Sequence, residues 1–201
     1  EAKRVYEEYL MPEKYSSFVV TASSVNDADP TAPFSIASLS DKNYSTYWCQ
    51  EWMNTLSPES DDYIDIKTSN SKAVGFTKLV FVGLPNNESF PSAFDIQYNI
   101  GDVGFVTYAS YTDYKNPSGD NYNVFTFDKP LIADTIRFQA RKKSVNSAGY
   151  YVFLLAEVES EAIVVSDEEV SVAMQEHVAK LGQVKETTKT DDKLVLSGLI
   201  A

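Results

Sequence analysis

The chain has a single cysteine, Cys49, among 201 residues. No internal disulfide can form, and the redox compartment is left open. Cationic residues are few: Lys and Arg number 17 against 29 Asp and Glu, for a formal net charge of -12. Such a surface repels phosphate backbones and anionic head groups, which argues against nucleic acid and acidic membranes as partners. A bound cation suits it better. No apolar run is long enough to cross a membrane as a helix. There is no internal repeat and no low-complexity tract. The only histidine, His177, is remote from Cys49, so that thiol is expected to be structural rather than nucleophilic. The sequence begins at Glu1 with neither an initiator Met nor a secretory leader, and we expect an excerpt from a longer protein.

Aromatics and polar turn residues are plentiful, with 13 Tyr and 11 Phe. From Phe18 the apolar residues recur with period two. Strands are expected at 18–23, 63–67, 77–82, 93–99, 106–111, 123–127, 135–140 and 151–159. Ile136, Phe138 and Ala140 alternate with Arg137, Gln139 and Arg141, the pattern of a sheet with one buried face. Pro85-Asn-Asn87, Gly101-Asp102, Asn116-Pro-Ser-Gly119 and Asp128-Lys-Pro130 punctuate the runs as turns. Eight short strands without intervening helices predict an all-β fold, an antiparallel eight-stranded sandwich or jelly roll. Short helices flank it. One, over 2–11, has Val5, Tyr6, Tyr9 and Leu10 on one side and stops at Pro12. A second, over 168–181, is capped by Asp167, carries Val170, Met174, Val178 and Leu181 in a stripe, and ends at Gly182. Residues 185–193 read as a polar linker and 193–200 as a strand that starts a following domain. The division is therefore a linker helix (1–14), a sandwich (15–160) and a C-terminal helix with linker (161–201).

Several short motifs carry a family resemblance when taken in order. Val19-Val-Thr-Ala-Ser-Ser24 is followed by Asp41, Thr46 and Trp48 in the spacing Asp-x-x-x-x-Thr-x-Trp. Asp62-Tyr-Ile-Asp-Ile66, Phe90-Pro-Ser-Ala-Phe-Asp-Ile96, Ala133-Asp-Thr-Ile-Arg-Phe138 and Leu155-Ala-Glu-Val-Glu159 follow. The stretch from about Tyr15 to Ser160 resembles the discoidin or coagulation factor 5/8 type C domains, whose bacterial members include family 32 carbohydrate-binding modules with a galactose-binding-like fold. The resemblance implies a structural calcium site made by the Leu39 carbonyl, the Asp41 carboxylate, the Asn43 carbonyl, the Thr46 oxygen and the Glu157 carboxylate, all hard oxygen donors. Read from the residues alone, Asp41 and Thr46 cap a turn and Glu157 sits at a sheet edge. The glycine usual after the loop aspartate is Lys42 here, which would be strained if that position needs positive φ. Galactose-binding members use a His, an Arg and an Asn beside an aromatic. His177 lies beyond the sandwich in sequence, so that site is not carried over.

A sugar site needs an aromatic plane and planar hydrogen-bonding groups. The loop 146–151 is expected to supply Tyr150 and Asn146, with Arg141 reaching the same rim. Tyr114, in the long polar loop 113–122, is expected to form another wall. Trp52 could stack on a sugar or cover the sandwich end, whereas Trp48 is expected in the core. No catalytic constellation is visible, so the chain is read as a binding module and not an enzyme. The resemblance implies a carbohydrate-binding module of a secreted or surface-attached bacterial protein, holding it on glycans beside its neighbouring domains. A discoidin-type protein-interaction or cell-adhesion domain is the alternative.

Overall fold

The computed structural model describes residues 11–26, 34–51 and 55–198. The expected helix over 2–11 (apart from its last residue) and Trp52 lie outside the described residues. Two antiparallel sheets face one another. One holds β1 (Lys14–Tyr15), β13 (Glu157–Ile163), β5 (Val74–Val82) and β8 (Tyr122–Ala133), in that order. The other holds β2 (Phe18–Ala22), β4 (Tyr63–Thr68), β9 (Thr135–Lys142), β6 (Ala93–Asn99) and β7 (Val106–Tyr111). Seven of the eight long strands fall on runs that the alternation predicts, although β8 continues through Asp128-Lys-Pro130, which reads as a turn in the sequence. The two-residue β1 is added at the edge, pairing with the end of β13. The last expected strand, 151–159, is broken: β11 (Tyr151–Val152) pairs with β10 (Ser144–Val145), β12 (Leu154–Leu155) pairs with β3 (Trp48–Cys49), and only from Glu157 does the chain join the main sheet. Each piece serves a different partner, so one continuous pleat cannot satisfy all three.

Period-two patterning decides what enters the core. Ile136, Phe138 and Ala140 of β9 are buried, as are Phe94, Ile96 and Tyr98 of β6. Phe76, Leu79 and Phe81 come from the opposite sheet. Phe94 and Phe138 stack with ring centroids 4.4 Å apart. Trp48 is fully buried, edge-on to Phe153 at 5.0 Å, and its indole N–H donates to the Ser24 carbonyl at 2.8 Å. A buried indole needs such a partner. On the outer face of the five-stranded sheet, Arg137 pairs bidentately with buried Asp65 at 2.7 and 2.9 Å. Its guanidinium lies over the rings of Tyr63 and Phe105, 3.7 and 4.0 Å from their centroids.

The C-terminal helix, α1 (Asp167–Gly198), runs past the expected stop. Gly182 keeps out of the left-handed region and nothing crowds it. A helical glycine costs only about 1 kcal/mol relative to alanine, so the helix continues through the segments read as linker and strand. Its inward stripe also differs from expectation. Met174 and Leu181 do pack on the core, joined by Ala173, but Val178 is exposed and His177 is buried in its place. The seat is the turn after β6. Gly101 and Gly104 both have positive φ, a β-carbon on Gly101 would collide with Met174, and His177 Nε2 lies 2.7 Å from the Gly104 carbonyl. Since a carbonyl only accepts, that nitrogen carries the proton.

Candidate functional site

The loop read as a metal site closes on itself. Leu39 is buried at the end of a 3-10 helix, Ile36–Ser40, that leads into it. Thr46 Oγ1 lies 2.8 Å from both Asp41 Oδ2 and the Asn43 carbonyl. The Asn43 amide donates to Asp41 Oδ1 at 2.8 Å. Lys42 has φ of 59, the left-handed conformation in which a glycine is unstrained. That turn aims the Lys42 amide at Glu157 Oε2, 2.7 Å away. The distant carboxylate is thereby brought to the loop. Burial pushes the Glu157 carboxyl above the usual carboxylate range; the Lys42 amide opposes this and the nearby Asp41 charge adds to it. Two neighbouring carboxylates, one of them buried, with carbonyl and hydroxyl oxygens between them, make a donor set that fits a hard cation. Among the described residues no three His, Cys, Asp or Glu side chains converge, so a cation here would rely on backbone and hydroxyl oxygens as much as on charge.

The expected sugar contacts are distributed differently. Asn146 and Tyr150 close a hairpin: Asn146 Oδ1 accepts the amides of Ala148 and Tyr150 at 3.1 and 2.9 Å. The Asn146 oxygen is thus committed to the loop, while Tyr150 is exposed. Arg141 is not brought to them. It projects from the outer face of β9, paired with Asp95 at 3.1 Å and donating to the Tyr111 carbonyl at 2.9 Å. The same alternation that buries Ala140 turns Arg141 to that face.

Tyr114 belongs to a better-formed site. A cleft of about 250 Å³ opens over Phe90 and Tyr114, walled by Asn86 on one side and by Lys115, Asn116 and Asp120 on the other. Phe90 and Tyr114 lie 5.7 Å apart and Tyr114 meets Phe94 at 5.0 Å, so the floor is continuous with the core. Burial pushes the Tyr114 phenol up to about 12. One wall is conformationally costly: Asn86, Asn87 and Ser89 have φ of 60, 54 and 63. Backbone held in this region clusters at ligand sites. The Asn87 amide exchanges hydrogen bonds with buried Asn123 at 3.0 and 2.8 Å, which fixes the turn. The exposed Asn86 amide and the Lys115 ammonium make no bond among the described residues. The Tyr150 hairpin abuts this wall, since the Ser147 amide donates to Glu88 at 2.5 Å. Sequence reasoning read Pro85-Asn-Asn87 only as a turn. The available signal was the asparagine pair, the residue type that after glycine best tolerates left-handed backbone.

A second cleft, about 410 Å³, is rimmed by Glu51, Glu59, Asp61 and Asp62 with buried Lys143 in its wall. Its one aromatic among the described residues, Tyr63, already supports Arg137, and Asp62 accepts from Ser23, Ser24 and Ser60. Those commitments leave it without a free stacking surface among the described residues. Cys49 is fully buried, and desolvation pushes its thiol up to about 12 against an opposing bond with Asn26. Iodoacetamide at pH 8 should therefore leave the native protein unmodified and label one thiol in guanidinium, as read by intact mass. Labelling of the native protein at the denatured rate would show the thiol to be accessible.

Similar folds are known from structures of weak sequence identity. The family 32 carbohydrate-binding module of Clostridium perfringens NanJ, solved with galactose, is 18% identical with a TM-score of 0.54, covering 72% of this chain and 93% of that one. Chitosan-binding module 2 of a Paenibacillus chitosanase/glucanase, solved with chitotriose, is 17% identical with a TM-score of 0.52, covering 72% and 96%. A putative chitobiase fragment from Bacteroides thetaiotaomicron is 17% identical with a TM-score of 0.58, covering 78% and 96%. No curated protein matches the chain. The model of the F5/8 type C domain matches residues 19–157, from the first long strand to the carboxylate that closes the candidate metal loop. With more than half its length so matched, this chain belongs to the F5/8 type C domain family.

Proposed function

We propose that the domain is a non-catalytic carbohydrate-binding module that holds a secreted or surface-attached multidomain protein on glycans. The observation that carries this reading is the cleft over Phe90 and Tyr114. Half-buried Tyr114, backed by buried Phe90, offers an aromatic surface to the C–H face of a pyranose, and Asn86, Lys115 and Asp120 offer donors and an acceptor to ring hydroxyls. Solved relatives of the same fold were captured with galactose and with chitotriose. Binding at one such site is modest, and the benefit is effective concentration: an attached enzyme or cell stays near its substrate. The same reading includes one structural calcium ion held by Leu39, Asp41, Asn43, Thr46 and Glu157. Its chemistry is charge neutralisation of Asp41 and Glu157, tying an early loop to the closing strand. We further propose that the module performs no glycoside cleavage. Such cleavage commonly needs a paired acid and base, and Asp120 is the one carboxylate among the described residues that line the cleft.

Two exposed residues test the site without touching the core. Asn86→Gly combined with Lys115→Ala should abolish retention on immobilised glycans while leaving the melting temperature within about 1 °C, because glycine keeps the left-handed backbone of residue 86 and substitutions at exposed positions away from structural bonds change stability little. A glycan array of the unmodified domain comes first. If it binds no sugar on a broad array, the protein-interaction alternative replaces this reading. If the double variant binds as well as the parent, the sugar sits elsewhere.

A further inference from the structure

We propose a second sugar subsite on the outer face of the four-stranded sheet, built on Tyr44 and Tyr122, so that the domain reads a chain of sugars rather than a single terminal unit. The inference rests on the glycan reading above. Registry places Glu159, Val80 and Val124 in one row across β13, β5 and β8, and Glu157, Val82 and Tyr122 in the next. Val80 and Val82 point away from the core yet are 5% and 1% exposed, because Tyr47 packs on them from above. Tyr44 crosses the same face. Its ring lies 6.2 Å from that of Tyr122 on the edge strand, and its hydroxyl donates to Glu159 two strands away. The outward face thus carries an aromatic roof.

That roof is open to solvent on its far side. Tyr44, Tyr122 and Val124 are 45%, 43% and 49% exposed. In a chain with net charge -12, a contiguous strip of exposed aromatic and aliphatic surface marks a contact site. The two rings are inclined at 50°, a shallow V rather than a flat plate. A pyranose presents one apolar C–H face to such rings and hydroxyls at its rim. Glu159 is an exposed acceptor at that rim, with Oε1 taken by Tyr44 and Oε2 bonded to nothing among the described residues. Lys78, on the same face, is already paired with Glu161 at 2.6 Å, so among the described strand residues of the strip the free charge is the Glu159 carboxylate. The fitting ligand is a neutral or amino sugar, not a uronate.

The strip adjoins the loop that walls the cleft. Asp120 and Asn116, which wall the cleft, also hold Tyr122: Asp120 Oδ1 accepts the Tyr122 amide at 2.9 Å, and Asn116 Nδ2 donates to the Tyr122 carbonyl at 3.0 Å. A glycan leaving the cleft over this loop meets the Tyr122 ring next.

The test is calorimetric titration of the full 201-residue chain with two length series, N-acetylglucosamine to chitotetraose and galactose to β-1,4-galactotetraose. For whichever series binds, affinity should rise about tenfold from monomer to tetramer, the order expected of one added aromatic contact. Tyr122→Ala should erase the rise and leave monomer affinity unchanged, while Tyr122→Phe keeps it. Equal affinity for monomer and tetramer in the parent would overturn the subsite and leave the glycan reading standing. So would a Tyr122→Ala variant that keeps the rise, or one that loses monomer binding in equal measure. Absence of binding by the parent across both series and a broad array overturns the subsite and the glycan reading together.

Discussion

Asp65→Ala should lower the melting temperature by about 10 °C, more than removal of any surface ion pair. Asp65 is buried, and its two oxygens take the two N–H groups of Arg137 in parallel. Removing one partner of a buried pair leaves an uncompensated charge and typically costs about 3–5 kcal/mol. For a domain of this size each kcal/mol shifts the midpoint by roughly 2–4 °C. The pair Lys78–Glu161 is as short, at 2.6 Å, but its side chains are 35% and 63% exposed. Solvent screening holds such a pair to about 0–1 kcal/mol, so Glu161→Ala should move the midpoint by at most a few degrees. Length alone does not rank the two; desolvation does. The double variant Asp65→Leu with Arg137→Met should recover most of the loss, since replacing both charges by apolar groups removes the desolvation penalty. Thermal melts of the four proteins decide it. If Asp65→Ala melts with Glu161→Ala, the pair contributes nothing special.

The second large effect is expected from calcium. Adding the ion at a hundredfold excess over its dissociation constant should stabilise the domain by about 2.7 kcal/mol, and a chelator should reverse the shift. Asp41→Ala should abolish the response, because it removes the exposed carboxylate of the pair. The sign of the pH dependence follows from Glu157. Its carboxyl is raised in the folded state, chiefly by burial. A raised carboxyl favours folding below its unfolded pKa, and that favour is lost as pH rises through the folded value. In the metal-free domain the contribution of Glu157, read as the difference in melting temperature between the parent and Glu157→Gln, should accordingly weaken from the acid side of the carboxylate range toward neutral pH. Calcium offsets that loss, so its stabilising shift should be greatest near pH 7 and fade toward pH 4. A midpoint indifferent to both calcium and chelator at neutral pH would remove the metal from this account.

Some of the site was legible in advance and some was not. The candidate metal loop was legible because its donors are fixed by short-range geometry: Asp41, Asn43 and Thr46 bond one another within five residues. Even the departure at Lys42 was informative, since the left-handed turn needed there is kept at the price of backbone strain. The sugar contacts were less legible. Tyr114 was named, but its neighbours Asn86 and Phe90 come from another segment. Arg141 was misplaced because proximity in sequence to a loop says nothing about which side of a strand its side chain takes; alternation commits it to Asp95.

What this sequence determined by itself is local and periodic. Alternation specified seven of the long strands and their buried faces, because a strand repeats every two residues whatever it pairs with. Composition argued against polyanionic partners, because charge needs no fold to repel. The tertiary structure alone decided the rest. It split the final strand among three partners, carried α1 past Gly182, and seated His177 on Gly104. It also raised Tyr44 over the outer sheet to meet Tyr122 and Glu159. Each of these joins residues far apart in the chain, where the outcome depends on which surfaces are left to be covered once the two sheets have closed on each other.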